Sequence, residues 1–101
     1  MDDVLHALAE PRRREILRLV SRDELPAGRI AEHFAVTRPA VSQHLQVLKG
    51  AGLVRERRDG TRRLYRADPA ALAPLRAYLN QMWADALDRG RRLAETEEEA
   101  Q

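Results

Sequence analysis

The chain of 101 residues contains no cysteine, which excludes disulfides, thiolate metal sites and a cysteine nucleophile. Aromatic side chains are scarce as well, four in all: Phe34, Tyr65, Tyr78 and Trp83. Lysine is almost missing, since arginine supplies 17 of the 18 basic residues. No run of apolar residues approaches the length of a bilayer span and no signal peptide is read at the start, so a soluble, cytoplasmic protein without a membrane partner is expected. Ser21 and Ser42 lie in no nucleophile motif and no glycine-rich phosphate loop is present, so neither catalytic residues nor a cofactor are expected. What remains is a length suited to one domain, with 23 Leu, Ile, Val and Phe residues to build a thin core.

The formal net charge of +2 hides an uneven distribution. Residues 1–50 carry 8 basic and 7 acidic groups, whereas residues 51–66 carry 6 arginines against Glu56 and Asp59. Residues 67–101 reverse the sign, with 4 arginines against 7 acids. Between His33 and Val54 there is no acidic residue at all. A basic middle in a nearly neutral chain suggests a polyanion partner, although a merely solvated basic surface has the same composition.

Helix signals dominate the pattern. Asp2 and Asp3 precede Val4, Leu5 and Leu8, a short amphipathic helix with its acids at the positive end. Pro11 suits the first position of a second helix that buries Ile16, Leu17, Leu19 and Val20. A third helix is expected to start near Ala27–Arg29 and to bury Ile30, Ala31 and Phe34. The fourth, residues 38–50, is the clearest. Thr37 caps it, Pro39 sits in its first turn, and Val41, Leu45 and Leu48 form its core face. Gly52 is placed to end it in a left-handed conformation. Two strand-like runs follow, Leu53–Arg58 and Thr61–Ala67, joined by Asp59-Gly60 as a hairpin turn. Leu25 can add a short extra strand. The last element opens at Asp68-Pro69, and Leu72, Leu75, Leu79, Met82 and Ala86 repeat at close to heptad spacing. Pro74 marks either a kink or the true helix start. Residues 1–94 are expected to form the domain, and residues 95–101 a disordered acidic tail.

The order α-α-α-α-β-β-α, mainly helical with a small hairpin, describes a winged helix-turn-helix, and the fourth helix is then the candidate for the DNA major groove. A helical wheel puts Arg38, Pro39, Ser42, Gln43, Gln46 and Lys49 on one face, opposite the core residues. That face is free of carboxylates, and Gln, Ser, Arg and Lys are side chains that read base edges or hold phosphates. Thr37 joins the set through the backbone N–H groups it leaves at the helix start. In the hairpin, Arg57, Arg58, Arg62 and Arg63 flank the tip and are candidates to clamp phosphates or enter the minor groove. A charged edge that prevents sheet aggregation is a compatible second role.

Leu8-Ala9-Glu10-Pro11-Arg12-Arg13-Arg14-Glu15-Ile16-Leu17 resembles the opening of ArsR-family transcriptional regulators. Thr37-Arg38-Pro39-Ala40-Val41-Ser42-Gln43-His44-Leu45-Gln46-Val47-Leu48, followed by Ala51-Gly52-Leu53-Val54, is similar to that family's recognition helix. Asp59-Gly60-Thr61-Arg62-Arg63-Leu64-Tyr65 is similar to its wing. The resemblance covers residues 4–80. It implies a homodimeric repressor bound to double-stranded DNA, whose first and last helices form the dimer interface. On this chain that interface comprises Val4, Leu5, Leu8, Leu75, Leu79, Met82, Trp83 and Ala86. Such a protein would sit with the nucleoid.

The departures are informative too. Metal-sensing members carry paired cysteines leading into the third helix, where this chain has Glu24-Leu25-Pro26-Ala27-Gly28-Arg29. Others bind zinc through the last helix, yet no histidine follows His44. His6 and His33 lie on different helices without a paired acid at ligand spacing, and a hydrogen-bonded structural role suits His44, so no metal site is expected. Tyr78, Met82 and Trp83 suit dimer packing better than a pocket, and any small-molecule or protein effector stays unidentified. A winged-helix module that binds an acidic protein partner is the competing reading.

Overall fold

The computed structural model describes residues 1–100, with side chains through residue 96. Five helices and a three-stranded sheet follow in the order α1 Asp2–Leu8, α2 Pro11–Arg22, β1 Leu25–Pro26, α3 Ala27–Glu32, α4 Arg38–Gly50, β2 Val54–Asp59, β3 Arg62–Ala67 and α5 Ala73–Ala100. A 3-10 turn, Pro69–Leu72, leads into α5. This is the expected winged helix-turn-helix. The short strand at Leu25 is real: β1 pairs antiparallel with β3, Leu25 opposite Tyr65 and Pro26 opposite Leu64, so the strand order is β1-β3-β2.

The helix starts are set by local chemistry. The Glu10 carboxylate accepts from Arg13 N at 3.0 Å, and Thr37 Oγ1 accepts from Ala40 N at 3.3 Å. Both satisfy backbone donors that have no partner within the helix. At the end of α4, Leu53 N donates to Leu48 O at 3.0 Å and Gly52 N to Lys49 O at 2.9 Å. This is the Schellman arrangement, and it requires the φ of +78° that Gly52 adopts. The chain therefore leaves α4 in one fixed direction, straight into the wing.

Twelve side chains form the core, among them Ile16, Ile30, Val41, Leu45, Leu48 and Leu53 at 1% exposure or less. They come from α1, α2, α3, α4 and the sheet, so α4 is seated from behind by its own apolar stripe. Leu17, Leu19, Ala31 and Phe34, expected inside, are half-buried around this core.

Two details differ from the sequence reading. The hairpin turn lies one residue later, because Asp59 still pairs with Arg62 and the two loop residues are Gly60 and Thr61. With φ +64° at Gly60, glycine takes the first central position of a two-residue loop, where its missing Cβ removes the steric penalty. Pro74, by contrast, marks the true start of α5, one of its two expected roles, since it lies in the first turn where no N–H bond is lost. The helix also continues to Ala100, through residues read as a disordered tail. Glu and Ala there are strong helix formers, and Thr96 Oγ1 donates to Arg92 O at 2.9 Å. Gln101 lies outside the described residues.

Candidate nucleic-acid interface

Every residue assigned to the reading face of α4 is exposed: Arg38, Pro39, Ser42, Gln43, Gln46 and Lys49, with Thr37 at the cap. They do not all look the same way. Arg38 and Ser42 line one wall of a polar cleft of about 540 Å³. Thr61, Arg62 and Arg63 of the wing and Gly28, Arg29 and Glu32 of α3 line it as well. Gln46 instead borders a shallow groove beside Asp3 and His6 of α1.

Arg29 is not among the site residues expected from the sequence, where it marks only the start of the third helix and the segment without the metal-sensing cysteines. The signal available was that it is the only cation of α3. It bonds Glu32 Oε2 loosely, at 3.5 Å, with both side chains about two-thirds exposed (69% and 65%). A Cβ at Gly28 would stand 3.8 Å from the guanidinium carbon of Arg38, an ordinary contact, so the space beside Arg38 does not depend on glycine.

The basic residues fall into two groups by their partners. Arg57 is clamped: its Nε lies 2.8 Å from both oxygens of Glu24 and its Nη2 2.6 Å from Oε1. This bond holds the Glu24 carboxyl below the usual range and raises Arg57. Lys49 Nζ and Arg63 Nε converge on Glu56, at 2.9 and 3.4 Å. The Lys49 bond is the main reason Glu56 is shifted down against the opposing effect of burial, and Arg63 adds to it. Glu56 is thus a strut between α4 and the wing rather than a flaw in a basic surface. Arg55 likewise grips Asp68 at 2.7 Å and lowers its carboxyl, fixing the far end of the hairpin. In the second group, Arg38 and Arg58 make no ion pair among the described residues. Arg62 meets only Asp59, at 3.6 Å with both side chains exposed. Pairing on the wing therefore separates cations that hold it from cations that face outward.

Burial of Tyr65 against this network raises its hydroxyl above the ordinary range, so it stays a neutral wall of the cleft. His44 departs from the reading given to it. Its Nδ1 is buried without a hydrogen-bond partner among the described residues. Among the described residues no three His, Asp or Glu side chains are grouped as metal ligands.

The assigned dimer residues also divide. Val4 is 5% exposed within the single chain and belongs to its own core, because α1 packs on α2 and α4. Leu8 and Leu75 are half-buried, while Leu5, Leu79, Met82, Trp83 and Ala86 are exposed.

Comparison with known proteins agrees with this geometry. The sequence profile of the bacterial regulatory protein arsR family matches residues 10–56, from the α2 cap into the wing. The HTH-type transcriptional regulator Rv2034 of Mycobacterium tuberculosis is 48% identical over 86 residues, which span 85% of this chain and 80% of that protein. The transcriptional repressor SdpR of Bacillus subtilis is 42% identical over 60 residues, 59% of this chain and 67% of its own length. Among solved structures, an ArsR-like transcriptional regulator from Rhodococcus superposes with a TM-score of 0.78 at 32% identity, over 99% of this chain and 92% of that one. A homodimeric winged helix-turn-helix DNA-binding domain from Mycobacterium bovis gives a TM-score of 0.66 at 40% identity, over 83% and 77%. With its recognition helix, wing and cleft in place, the chain belongs to the ArsR family of bacterial regulatory proteins.

Proposed function

We propose that the protein is a transcriptional repressor that binds a pseudo-palindromic operator as a homodimer, with one α4 in each of two successive major grooves. The observation that carries this reading is the exposed, carboxylate-free face of α4 beside a wing whose outward cations are separately available. Ser42 and Gln43 take the base edges, because short polar and amide side chains at the start of a recognition helix reach them. Arg38, Arg58, Arg62 and, in α3, Arg29 hold phosphates or enter the minor groove. Thr37 and Pro39 set the helix start, Gln46 supports its flank toward α1, and Lys49, Arg57 and Arg63 keep the wing at its angle.

The dimer forms through α5 with Leu5 and Leu8 of α1. Leu79, Met82, Trp83 and Ala86 present an apolar face that a lone chain leaves in water. The protein works in the cytoplasm at chromosomal DNA. Among the described residues no helix is long and apolar enough to cross a membrane.

In vitro selection from a random duplex pool tests the reading. Selected sequences are expected to share two inverted half-sites about one helical turn apart. A pool without a consensus, together with capture of an acidic protein by the same surface, would replace this reading with a protein-interaction module.

A further inference from the structure

α5 is longer than dimerisation through its first half requires. Its 28 residues span about 42 Å at 1.5 Å per residue, and the whole chain is drawn out to 71 × 25 × 22 Å. Leu75 still packs on the core, but Leu87 and Leu93 are 61% and 62% exposed. The stripe Leu75, Leu79, Met82 and Ala86 skips one turn at Arg89 and resumes at Leu93, seven residues after Ala86. Something is expected to cover that second half.

The body offers a matching surface. Between α2 and the 3-10 turn lies an apolar cavity of about 570 Å³, lined by Leu8, Leu17, Leu53 and Leu72 and bordered by Arg14 and Arg18. Residues 11–22 of α2 hold five arginines against Glu15, and this surplus plays no part in the DNA-facing cleft. Residues 85–99 carry six acids against three arginines. Two of those arginines, Arg91 and Arg92, are already bound to Asp88 at 2.8 and 2.6 Å.

We propose that the C-terminal half of α5 crosses to the partner subunit and docks in this cavity, Leu93 filling it while Glu95 faces the arginines of α2. The proposal rests on the homodimer reading and deepens it. Charge chooses the direction, since parallel helices would set two acidic ends side by side, whereas antiparallel helices bring each acidic end to a basic body. The seam reads the same in both directions, so antiparallel pairing sets Leu75 against Ala86 and Leu79 against Met82. Continuing that register puts Arg89 at Leu72 of the second copy and Leu93 at Asp68, where Asp68, Pro69 and Leu72 line the cavity.

The absence of cysteine makes single-cysteine variants clean probes. A tagged Leu93→Cys chain is mixed with a Ser21→Cys chain, whose cysteine stands at the cavity, and treated with a short bismaleimide. A parallel mixture pairs Leu79→Cys with Met82→Cys to report the seam. Cross-linked heterodimer in both mixtures, with none from Leu93→Cys alone, is the expected result. Cross-linking at the seam but not between positions 21 and 93 overturns the docking and leaves the homodimer standing. Cross-linking in neither overturns both. As a second readout, removal of residues 93–101 is expected to raise the dimer dissociation constant by at least about tenfold, with a smaller effect at high salt. An unchanged constant contradicts the docking.

Discussion

Arg57 in the wing and Glu24 before β1 are 33 residues apart in sequence, yet the guanidinium meets both carboxylate oxygens at 2.8 Å. On the proposed reading the contact makes Arg57, expected among the DNA-binding residues, a fastening of the wing. Arg57→Ala is therefore expected to lower the melting temperature and leave the salt slope of duplex binding close to wild type. Arg62→Ala is expected to do the opposite. Losing one phosphate contact per protomer, two per bound dimer, lowers the slope of log K against log salt by about 1.8 and weakens all sequences alike. Binding isotherms at several salt concentrations, beside thermal melts, separate the two.

Gln43→Ala is expected to relax base preference at one position of each half-site, costing about 1–3 kcal/mol on the selected duplex and little on a random one. Repeating the selection with the variant checks this. An unchanged consensus would remove Gln43 from the reading face.

Leu45 and Gly52 fix how α4 is seated, one in the core and one at its exposed C-terminal end. Leu45 is fully buried, and Leu45→Ala is expected to destabilise the fold by about 2–5 kcal/mol through a cavity behind the recognition helix. Gly52→Ala is expected to cost about 1–2 kcal/mol, because its φ of +78° disfavours a Cβ although the space itself is adequate, with Ala71 Cβ 3.6 Å away. Urea unfolding of both variants gives the comparison.

Glu24, Glu56 and Asp68 are each held below their ordinary range by a bonded cation, Arg57, Lys49 and Arg55 respectively. At acid pH the unfolded chain then binds protons that the folded one does not. The stabilisation is complete at neutral pH and is lost as pH falls below the ordinary glutamate value of 4.5 and through the lowered folded values. Melting temperatures from pH 7 down to 3 are expected to fall steeply in this window, and less steeply for Glu24→Gln, whose neutral amide has no charge to lose.

Paired substitution of Leu79 and Met82 by Glu is expected to give a folded monomer with weak operator binding. Both side chains are about half exposed in the single chain, at 46% and 48%, and neither belongs to the core, so the change leaves the core intact. Light scattering together with circular dichroism tests it. A stable dimer would move the interface away from α5.

What the sequence revealed tracks how local each cause is. The cap at Thr37, the proline at 39 and the stripe Val41, Leu45 and Leu48 are set by neighbours within one or two turns, so α4 was legible to the residue. Gly60 signalled a turn, but its exact register depends on cross-strand pairing between Asp59 and Arg62 and slipped by one. Partners distant in sequence were not legible. Nothing near Arg57 announces Glu24, and nothing near Lys49 or Arg63 shows that both reach Glu56. Val4 was misplaced for the same reason, since an apolar residue on a short helix fits a subunit interface or its own core equally well.

The central claim, a basic reading head for duplex DNA, is tested most directly by titrating the selected operator duplex between 50 and 200 mM salt. About six phosphate contacts per bound duplex predict a loss of affinity on the order of 10³-fold. Binding that is undetectable, or unchanged across that range, would contradict it.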